Sequence, residues 1–508
     1  MINFSSTKIT LSNFVVILLI SLLSLFFVFK FPSHDIFSKS FFMDILFCIS
    51  FQLTFFSIFA FNKYTLKTLA FLVTSIYLVN IYTGSTYGIY LNFELIKSIT
   101  EVNNNEISIV LHDYKIYILI LALISFSFLI YQTKIIFINN KYMLKILTIP
   151  FSILIYIYTT NTNYFIASLY YLGNNIEPEH TLSNILIIAG NKYLYRDIDL
   201  DYSLFKNIEK IENENANIVL IIGESARAEN FSINGYKKNT NPLIEKENNL
   251  ISFKNASSCG TSTAFSIPCI LARSGRLSGF SLPSKEPSIV HAFNKMGFDT
   301  YFLSMQDIKP NIEIYKSCKQ ANHCEFKIGK YDIEIRNRLS EIIKKSKNKF
   351  IVIQMKGSHF LYNENYPKEF NKFTPICTDM PYNCNNINSA INSYDNSILY
   401  TDYVLNRIYD ALKSTNSFVL FSSDHGESIG ENNYFGHGVV YKFAPKEQTN
   451  VPFIVWASDT FLDKHGMVKK LISENKYKNI SHDNIFHTMI GCINPEAKLT
   501  DKKLNLCA

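Results

Sequence analysis

Two sets of residues in this chain have types and spacing that suit chemistry. The first is the stretch CGTSTAFSIPC, Cys259–Cys269, which places Thr261, Ser262 and Thr263 after a glycine and between two cysteines. A hydroxyl is a poor nucleophile at neutral pH and needs a base or a metal to hold it as an alkoxide-like species. Taken alone, such a cluster is more often a turn or a helix N-cap. The second set is scattered: Glu224, His359, the Asp424-His425 pair and His437. Carboxylates and imidazoles without cysteine, gathered near a hydroxyl, suit Zn²⁺. Singly each has a plainer role. Glu224 could be a cap or ion-pair partner, Asp424 a turn cap, and each histidine a hydrogen-bonded structural residue.

The elements that must carry these residues favour the shared role. Ile218–Ile222 is a continuous apolar run ending in Gly223-Glu224-Ser225, the pattern of a buried parallel strand with a carboxylate at its C-terminal edge. Thr300–Leu303 precedes Met305, Gln306 and Asp307 in the same way. Phe350–Met355 precedes Lys356-Gly357-Ser358-His359, and Phe418–Phe421 precedes the segment Ser422 to Glu427. Val451–Trp456 reads as a further strand. Helical periods lie over Ser288–Met296, Asp332–Lys345, Asn388–Lys413 and His482–Cys492. Strands alternating with helices predict a doubly wound α/β domain, in which ligands gather at the carboxyl edge of the sheet. The expected site is a zinc held by Glu224, Asp424 and His425, with a position left for Thr263. His359 and His437 would then take a second metal or the oxygens of a phosphate.

The 508 residues are 48% hydrophobic and 15% aromatic, and the apolar share is concentrated before residue 160. Five apolar runs stand there: Ile9–Phe29, Ile45–Phe61, Thr68–Thr83, Ile116–Gln132 and Ile146–Thr159. The first is long enough to cross a bilayer outright and reads as an uncleaved anchor, because no small-residue cleavage site follows it. Lys8, Lys63, Lys67, Lys134, Lys141 and Lys145 fall on one side if all five runs cross, and the more acidic segment from Gly84 to Tyr114 on the other. An odd number of crossings puts everything after Thr160 outside the cytoplasm. The expected organisation is a five-helix transmembrane domain over 1–160, a membrane-surface connector over 161–217 and a catalytic domain over 218–508. Eight of the nine cysteines follow the membrane half. Cys259/Cys269, Cys318/Cys324 and Cys377/Cys384 are close pairs and read as disulfides of an exported domain; Cys492 and Cys507 form a fourth pair or stay free. The net charge of +7 favours anionic partners such as phospholipid head groups only weakly, and no nucleic-acid partner is expected.

Longer motifs carry a resemblance. IGESARAENFSINGYKKNTNP, SFKNASSCGTSTAFSIPC, YDNSILYTDYVL, SSDHGESIGEN, HGVVYKFAPKEQTNVPFIVW and SHDNIFHTM run from Ile222 to Met489. In order and spacing they resemble the membrane-bound lipid A phosphoethanolamine transferases of the alkaline phosphatase/sulfatase superfamily, the class linked to polymyxin resistance. The resemblance implies an α/β/α periplasmic domain on an inner-membrane anchor, and a monomer. It implies Thr263 as the phosphorylated nucleophile, and Glu224, Asp424 and His425 as ligands of one zinc, with a second zinc as an option. It gives His359 and His437 to phosphate or to that second metal, and it fits the three cysteine pairs. It also implies phosphatidylethanolamine as donor, lipid A or lipooligosaccharide as acceptor, and diacylglycerol as first product. Thr261 and Ser262 are candidate substrate contacts. Some positions depart from the family pattern. Ser225 stands for the usual Thr, Phe360-Leu361 for Gly-Pro, and Asp307–Cys324 matches poorly. There Lys319 is the candidate for a substrate-binding lysine, and the family's asparagine is not placed. His482 and His487, on a predicted helix, are assigned structural roles.

Three rival readings stand beside this one. A phosphoglycerol transferase would use the same residues on another head group. A sulfatase would carry a C/S-x-P-x-R motif, which the nucleophile position lacks. The third is a membrane protein that is no enzyme. A channel or transporter with an exported metal-binding domain would place charges within its spans, and the runs as drawn contain none. A catalytically dead sensor of lipid and zinc is disfavoured by the intact nucleophile and ligand set.

Overall fold

The structure, a computed structural model, describes residues 200–508 except 281, 283, 308–312 and 346. It also describes residues 63–89, 91–92, 95–97, 118–125 and 152–154, and residues 47, 50, 116 and 185. The chain divides into two compact units. One comprises Met1–Ser85, Tyr90–Phe93 and Asn105–Lys192; the other comprises Thr86–Ile89, Glu94–Asn104 and Tyr193–Ala508.

In the first unit the run Thr68–Thr83 lies within a helix, Lys63–Thr86. Asn80 caps the return of the chain, its side-chain oxygen accepting the N–H of Leu91 at 2.8 Å. No helix among the described residues is long and apolar enough to cross a membrane. The first predicted span, the second apart from residues 47 and 50, about half of the fourth and most of the fifth lie outside the described residues.

The second unit is built on a seven-stranded sheet. In chain order its strands are β1 (Asn217–Gly223), β2 (Leu250–Phe253), β4 (Asp299–Ser304), β5 (His323–Glu325), β6 (Lys349–Gln354), β7 (Ser417–Ser423) and β10 (Phe453–Ala457). Across the sheet they run β2-β10-β7-β1-β6-β4-β5. β1 pairs in parallel with β6 and β7, and β4 in parallel with β5 and β6. β10 runs antiparallel to both β7 and β2. Two minor pairs complete the set: β3 (Ala256–Ser257) with β11 (Ile480–Ser481), and β8 (Ser428–Ile429) with β9 (Phe435–Gly436).

Side chains alternate across the sheet, so β1 feeds two cores. Ile218, Leu220 and Ile222 face one, with Ile267 and Ile270 of helix Thr263–Leu271 and with Ile485 and Met489 of helix Asp483–Gly491. Val219 and Ile221 face the other, with Ile335 and Leu339 of helix Glu334–Ile342 and with Tyr394, Ile398 and Leu405 of helix Ile387–Leu412. All five apolar side chains of β1 are buried, worth roughly 1.5–3 kcal/mol each. The long helix starts where the Asn386 side chain accepts the Asn388 N–H at 2.9 Å. The α/β expectation holds for this unit, and the four strands predicted to end in functional residues stand in one parallel set.

Four disulfides tie the unit: Cys259–Cys269, Cys318–Cys324, Cys377–Cys384 and Cys492–Cys507. The last settles the alternative that the sequence left open.

Candidate active site

β1, β6 and β7 end at the same edge because they pair in parallel with aligned registers. The chain leaving β1 carries Glu224 and then Ser225, which takes a left-handed φ of +55°. That turn is held from several sides. Asp424 Oδ1 accepts the Ser225 N–H at 3.1 Å, Ser423 Oγ accepts the Ala226 N–H at 2.8 Å, and the Asp424 N–H donates to Gly223 O at 3.0 Å. From the long helix, Tyr394 donates its hydroxyl to Ser225 O at 2.7 Å and accepts the Arg227 N–H at 2.9 Å. One residue on, Asp395 accepts from Asn230, Tyr236 and Lys238. Two of the sequence motifs, one after β1 and one in the helix, are thus halves of one clamp.

The β6 edge approaches Glu224 directly. Gly357 has φ +53°, and a Cβ there would lie 2.7 Å from the Glu224 carbonyl oxygen and 2.8 Å from its nitrogen. Only glycine fits such a position. The Ser358 N–H donates to Glu224 O at 2.9 Å, which brings His359 beside the carboxylate. Asp332 fixes the same turn by accepting the Lys356 and Gly357 N–H groups at 2.8 and 2.9 Å.

The predicted nucleophile arrives from the opposite direction. Thr263 is the first residue of helix Thr263–Leu271. Its Oγ1 lies 3.2 and 3.3 Å from the Glu224 carboxylate oxygens and 3.2 Å from His425 Nε2. The helix N-terminus adds a partial positive charge at this point. His425 donates Nδ1–H to Gly426 O at 2.8 Å, so Nε2 presents a bare lone pair. That lone pair faces Asp424 Oδ2 at 3.3 Å and Glu224 Oε1 at 3.6 Å. Asp424 Oδ2 is buried and has no hydrogen-bond partner.

Three electron-rich atoms facing one another around a buried point need a cation between them. The titration of the pair agrees. Burial raises the Asp424 carboxyl well above its usual range, and the neighbouring Glu224 charge raises it further. Burial works against ionised Glu224 as well, but the imidazoles of His425, His359 and His437 and the Gln306 amide hold it below the ordinary value. Two carboxylates this close and this dry ionise together only with an ion between them. The donor set fits a divalent metal of zinc character, with Glu224, Asp424 and His425 as ligands and Thr263 Oγ1 adjacent.

His437 is beside this group, its ring 4.1 Å from that of His425. Its Nδ1 pairs with Glu427 Oε2 at 2.7 Å, and Tyr362 donates its hydroxyl to the other Glu427 oxygen at 3.1 Å. His425, Glu427 and His437 form a second group of metal-ligand type.

Sequence reasoning missed Glu427 and Gln306 as members of the site. Gln306, just beyond β4, donates from Nε2 to Glu224 Oε2 at 2.8 Å and to Met355 O at 2.9 Å. Its signal was its place after a strand, and nothing in its type announced the contact. The substrate candidates take other positions. Thr261 donates its hydroxyl to Val439 O at 2.7 Å, and Ser262 Oγ is buried with no hydrogen-bond partner. Lys319 lies with its ammonium 5.2 Å from the Tyr315 ring centroid. It lines a cavity of about 340 Å³ with Pro268, Glu286, Glu313 and Lys316, none of them a ligand of the Thr263 group.

A parallel set of strands whose edge brings a threonine hydroxyl beside a Glu/Asp/His cluster able to hold a metal defines a class, and comparison with known proteins agrees. A family profile described as Sulfatase matches residues 216–495, more than half of the chain, and the chain belongs to that family. Its particular relatives are phosphoethanolamine transferases. "Phosphoethanolamine transferase EptA" of Helicobacter pylori is 32% identical over 288 residues, 54% of this chain and 53% of that protein. The chain thus matches about half the length of this curated relative. The C-terminal periplasmic domain of phosphoethanolamine transferase EptC from Campylobacter jejuni is 32% identical. That match covers 61% of this chain and 97% of the domain, with a TM-score of 0.53. The integral membrane protein lipooligosaccharide phosphoethanolamine transferase A of Neisseria meningitidis shares the fold over 97% of this chain and 98% of its own, with a TM-score of 0.75 and 21% identity.

Proposed function

We propose that this protein transfers phosphoethanolamine from phosphatidylethanolamine to a phosphate of lipid A or a related lipooligosaccharide. The observation that carries the reading is Thr263 Oγ1, held at a helix N-terminus within 3.3 Å of both Glu224 and His425. Thr263 attacks the donor phosphorus, a Thr263 O–P bond forms, and the P–O bond to diacylglycerol breaks. Glu224 accepts the hydrogen bond of the Thr263 hydroxyl and is placed to take its proton. His437, tethered through Nδ1 to Glu427, is the residue assigned to supply, from its other nitrogen, the proton that the diacylglycerol oxygen needs. The amides at the start of helix Thr263–Leu271 and the His359 imidazole bear on the phosphoryl oxygens. In the second half a lipid A phosphate oxygen attacks the same phosphorus, the Thr263 O–P bond breaks, Glu224 returns its proton to Thr263 Oγ1, and His437 regains a proton from solvent. A zinc ion bound by Glu224, Asp424 and His425 would neutralise their charge and lower the pKa of the Thr263 hydroxyl.

The four disulfides support a catalytic unit outside the cytoplasm. Both lipids reside in a bilayer, which fits a multi-pass inner-membrane anchor built from the apolar runs before residue 160, with one protomer sufficient for the chemistry. The test is intact-mass spectrometry of zinc-loaded protein after incubation with phosphatidylethanolamine, beside Thr263→Ala. A phosphoethanolamine-sized gain on the wild type alone, mapped to Thr263, is expected. Absence of both adduct and diacylglycerol release would overturn the donor assignment, and an adduct with phosphatidylglycerol instead would make this a phosphoglycerol transferase.

A further inference from the structure

We propose that His482 is a positioning residue for the nucleophile: one neutral imidazole ties the backbone of the Thr263 loop to the end of the strand that carries Asp424 and His425. This inference rests on Thr263 being the nucleophile.

The imidazole is used at both nitrogens. Nδ1 accepts the N–H of Cys259 at 2.9 Å, four residues before Thr263. Nε2 lies 3.2 Å from Ser422 Oγ, two residues before Asp424. The Ser422 hydroxyl hydrogen goes to Pro452 O at 2.9 Å, so its lone pair receives Nε2–H. One tautomer satisfies every group, with the proton on Nε2 and none on Nδ1. Burial holds the ring neutral by pushing its pKa down to about 3. His482, Cys259 and Ser422 are all buried, so no water replaces these bonds.

The surroundings couple this tie to the rest of the loop, which Arg276 also holds by donating to Cys259 O. The His482 N–H also donates to Ser257 O at 3.0 Å, extending the β3–β11 pairing. Asp483 accepts the N–H groups of Arg276 and Leu277, in the segment that follows the nucleophile helix. Cys259 is itself bonded to Cys269, near the end of that helix. A displacement of the Cys259 amide is therefore passed to both ends of helix Thr263–Leu271 and to Thr263 Oγ1. The 3.2 Å separation of that atom from His425 Nε2 is the spacing that a shift of the loop would change.

Asparagine and glutamine separate the two links. An Asn side-chain oxygen falls where Nδ1 stands, and a Gln side-chain nitrogen where Nε2 stands. The experiment measures kcat and KM for phosphatidylethanolamine on full-length zinc-loaded His482→Asn and His482→Gln, with Tm and bound zinc determined alongside. His482→Asn keeps the Cys259 tie and is expected to hold kcat within roughly tenfold. His482→Gln leaves the Cys259 N–H without its acceptor. A shift of Thr263 of about 1 Å costs on the order of 100-fold in kcat, with KM and bound zinc unchanged. Ser422→Ala, which loses the other link, provides the test if His482→Gln does not fold; a fall in kcat of about threefold or more at unchanged KM is expected. A folded His482→Gln with wild-type kcat would refute the proposal, as would Asn and Gln variants that lose activity equally and only in proportion to Tm. If the wild type is never labelled at Thr263, the proposed function itself fails, whereas a labelled wild type with indifferent His482 variants sinks this inference alone.

Discussion

Replacing Gln306 with leucine tests the proposed metal site through a residue that touches no proposed substrate. Leucine keeps the approximate volume and removes the amide that donates to Glu224 Oε2 at 2.8 Å and to Met355 O at 2.9 Å. A hydrogen bond to a charged group contributes about 1.5–3 kcal/mol, and losing it also frees the carboxylate to rotate away from Asp424 and His425. At about 1.4 kcal/mol per decade, that loss predicts zinc binding weaker by roughly 10- to 150-fold, in line with other outer-shell partners of metal ligands. The assay is competition for zinc between the full-length protein and a chromophoric chelator, with kcat measured at saturating zinc. Activity should return when zinc is raised, because Thr263 and the three ligands are all present. Zinc affinity within twofold of wild type would show that the Gln306–Glu224 bond does not orient the ligand, and the cation argument would lose its support from that side.

Two further perturbations follow from the same geometry. Gly357→Ala places a Cβ 2.7 Å from Glu224 O at a φ of +53° and should destabilise the fold by about 2–4 kcal/mol in denaturant titration, displacing His359 as well; an unchanged midpoint would disprove the close approach. Asp402 accepts the Leu243 and Ile244 N–H groups, yet burial raises its pKa from 3.8 to about 7, so the folded state binds a proton more tightly than the unfolded one. Its contribution is present in full at low pH and is lost as pH rises from about 4 to about 7, with a slope of at most about 1.4 kcal/mol per pH unit. Asp402→Asn should remove that slope from a plot of Tm against pH, and an identical slope in the variant would refute the assignment.

The strands that converge on the site were legible because parallel strands buried on both faces read as unbroken apolar runs, and β1, β4, β6 and β7 do so. The edges were not. β2 has the polar Ser252 within four residues and β5 is the three residues His-Cys-Glu, so neither has a run of its own. β10 was visible as a strand, but its antiparallel direction depends on how the chain returns, which no periodicity records. The helix that presents Thr263 was hidden by Pro268 in its interior and by a start that resembles a turn. Among site residues, those of metal-ligand type at strand ends stood out. Glu427 and Gln306 did not, since their roles lie in what they touch: Glu427 in His437, and Gln306 in a carboxylate 82 positions away.

The four disulfides have a consequence for how the molecule is made. Ordered along the catalytic unit, its eight cysteines pair each with the next: Cys259 with Cys269, Cys318 with Cys324, Cys377 with Cys384, Cys492 with Cys507. No bridge spans more than 15 positions, and loop-closure entropy favours such near partners. If the unit is exported as proposed, each of its cysteines leaving a translocon N-terminus first meets its native partner as the next thiol to appear. Such a protein needs an oxidant at the exit but no enzyme to shuffle wrong pairs. It should mature in cells that lack a disulfide isomerase and fail in those that lack a thiol oxidase.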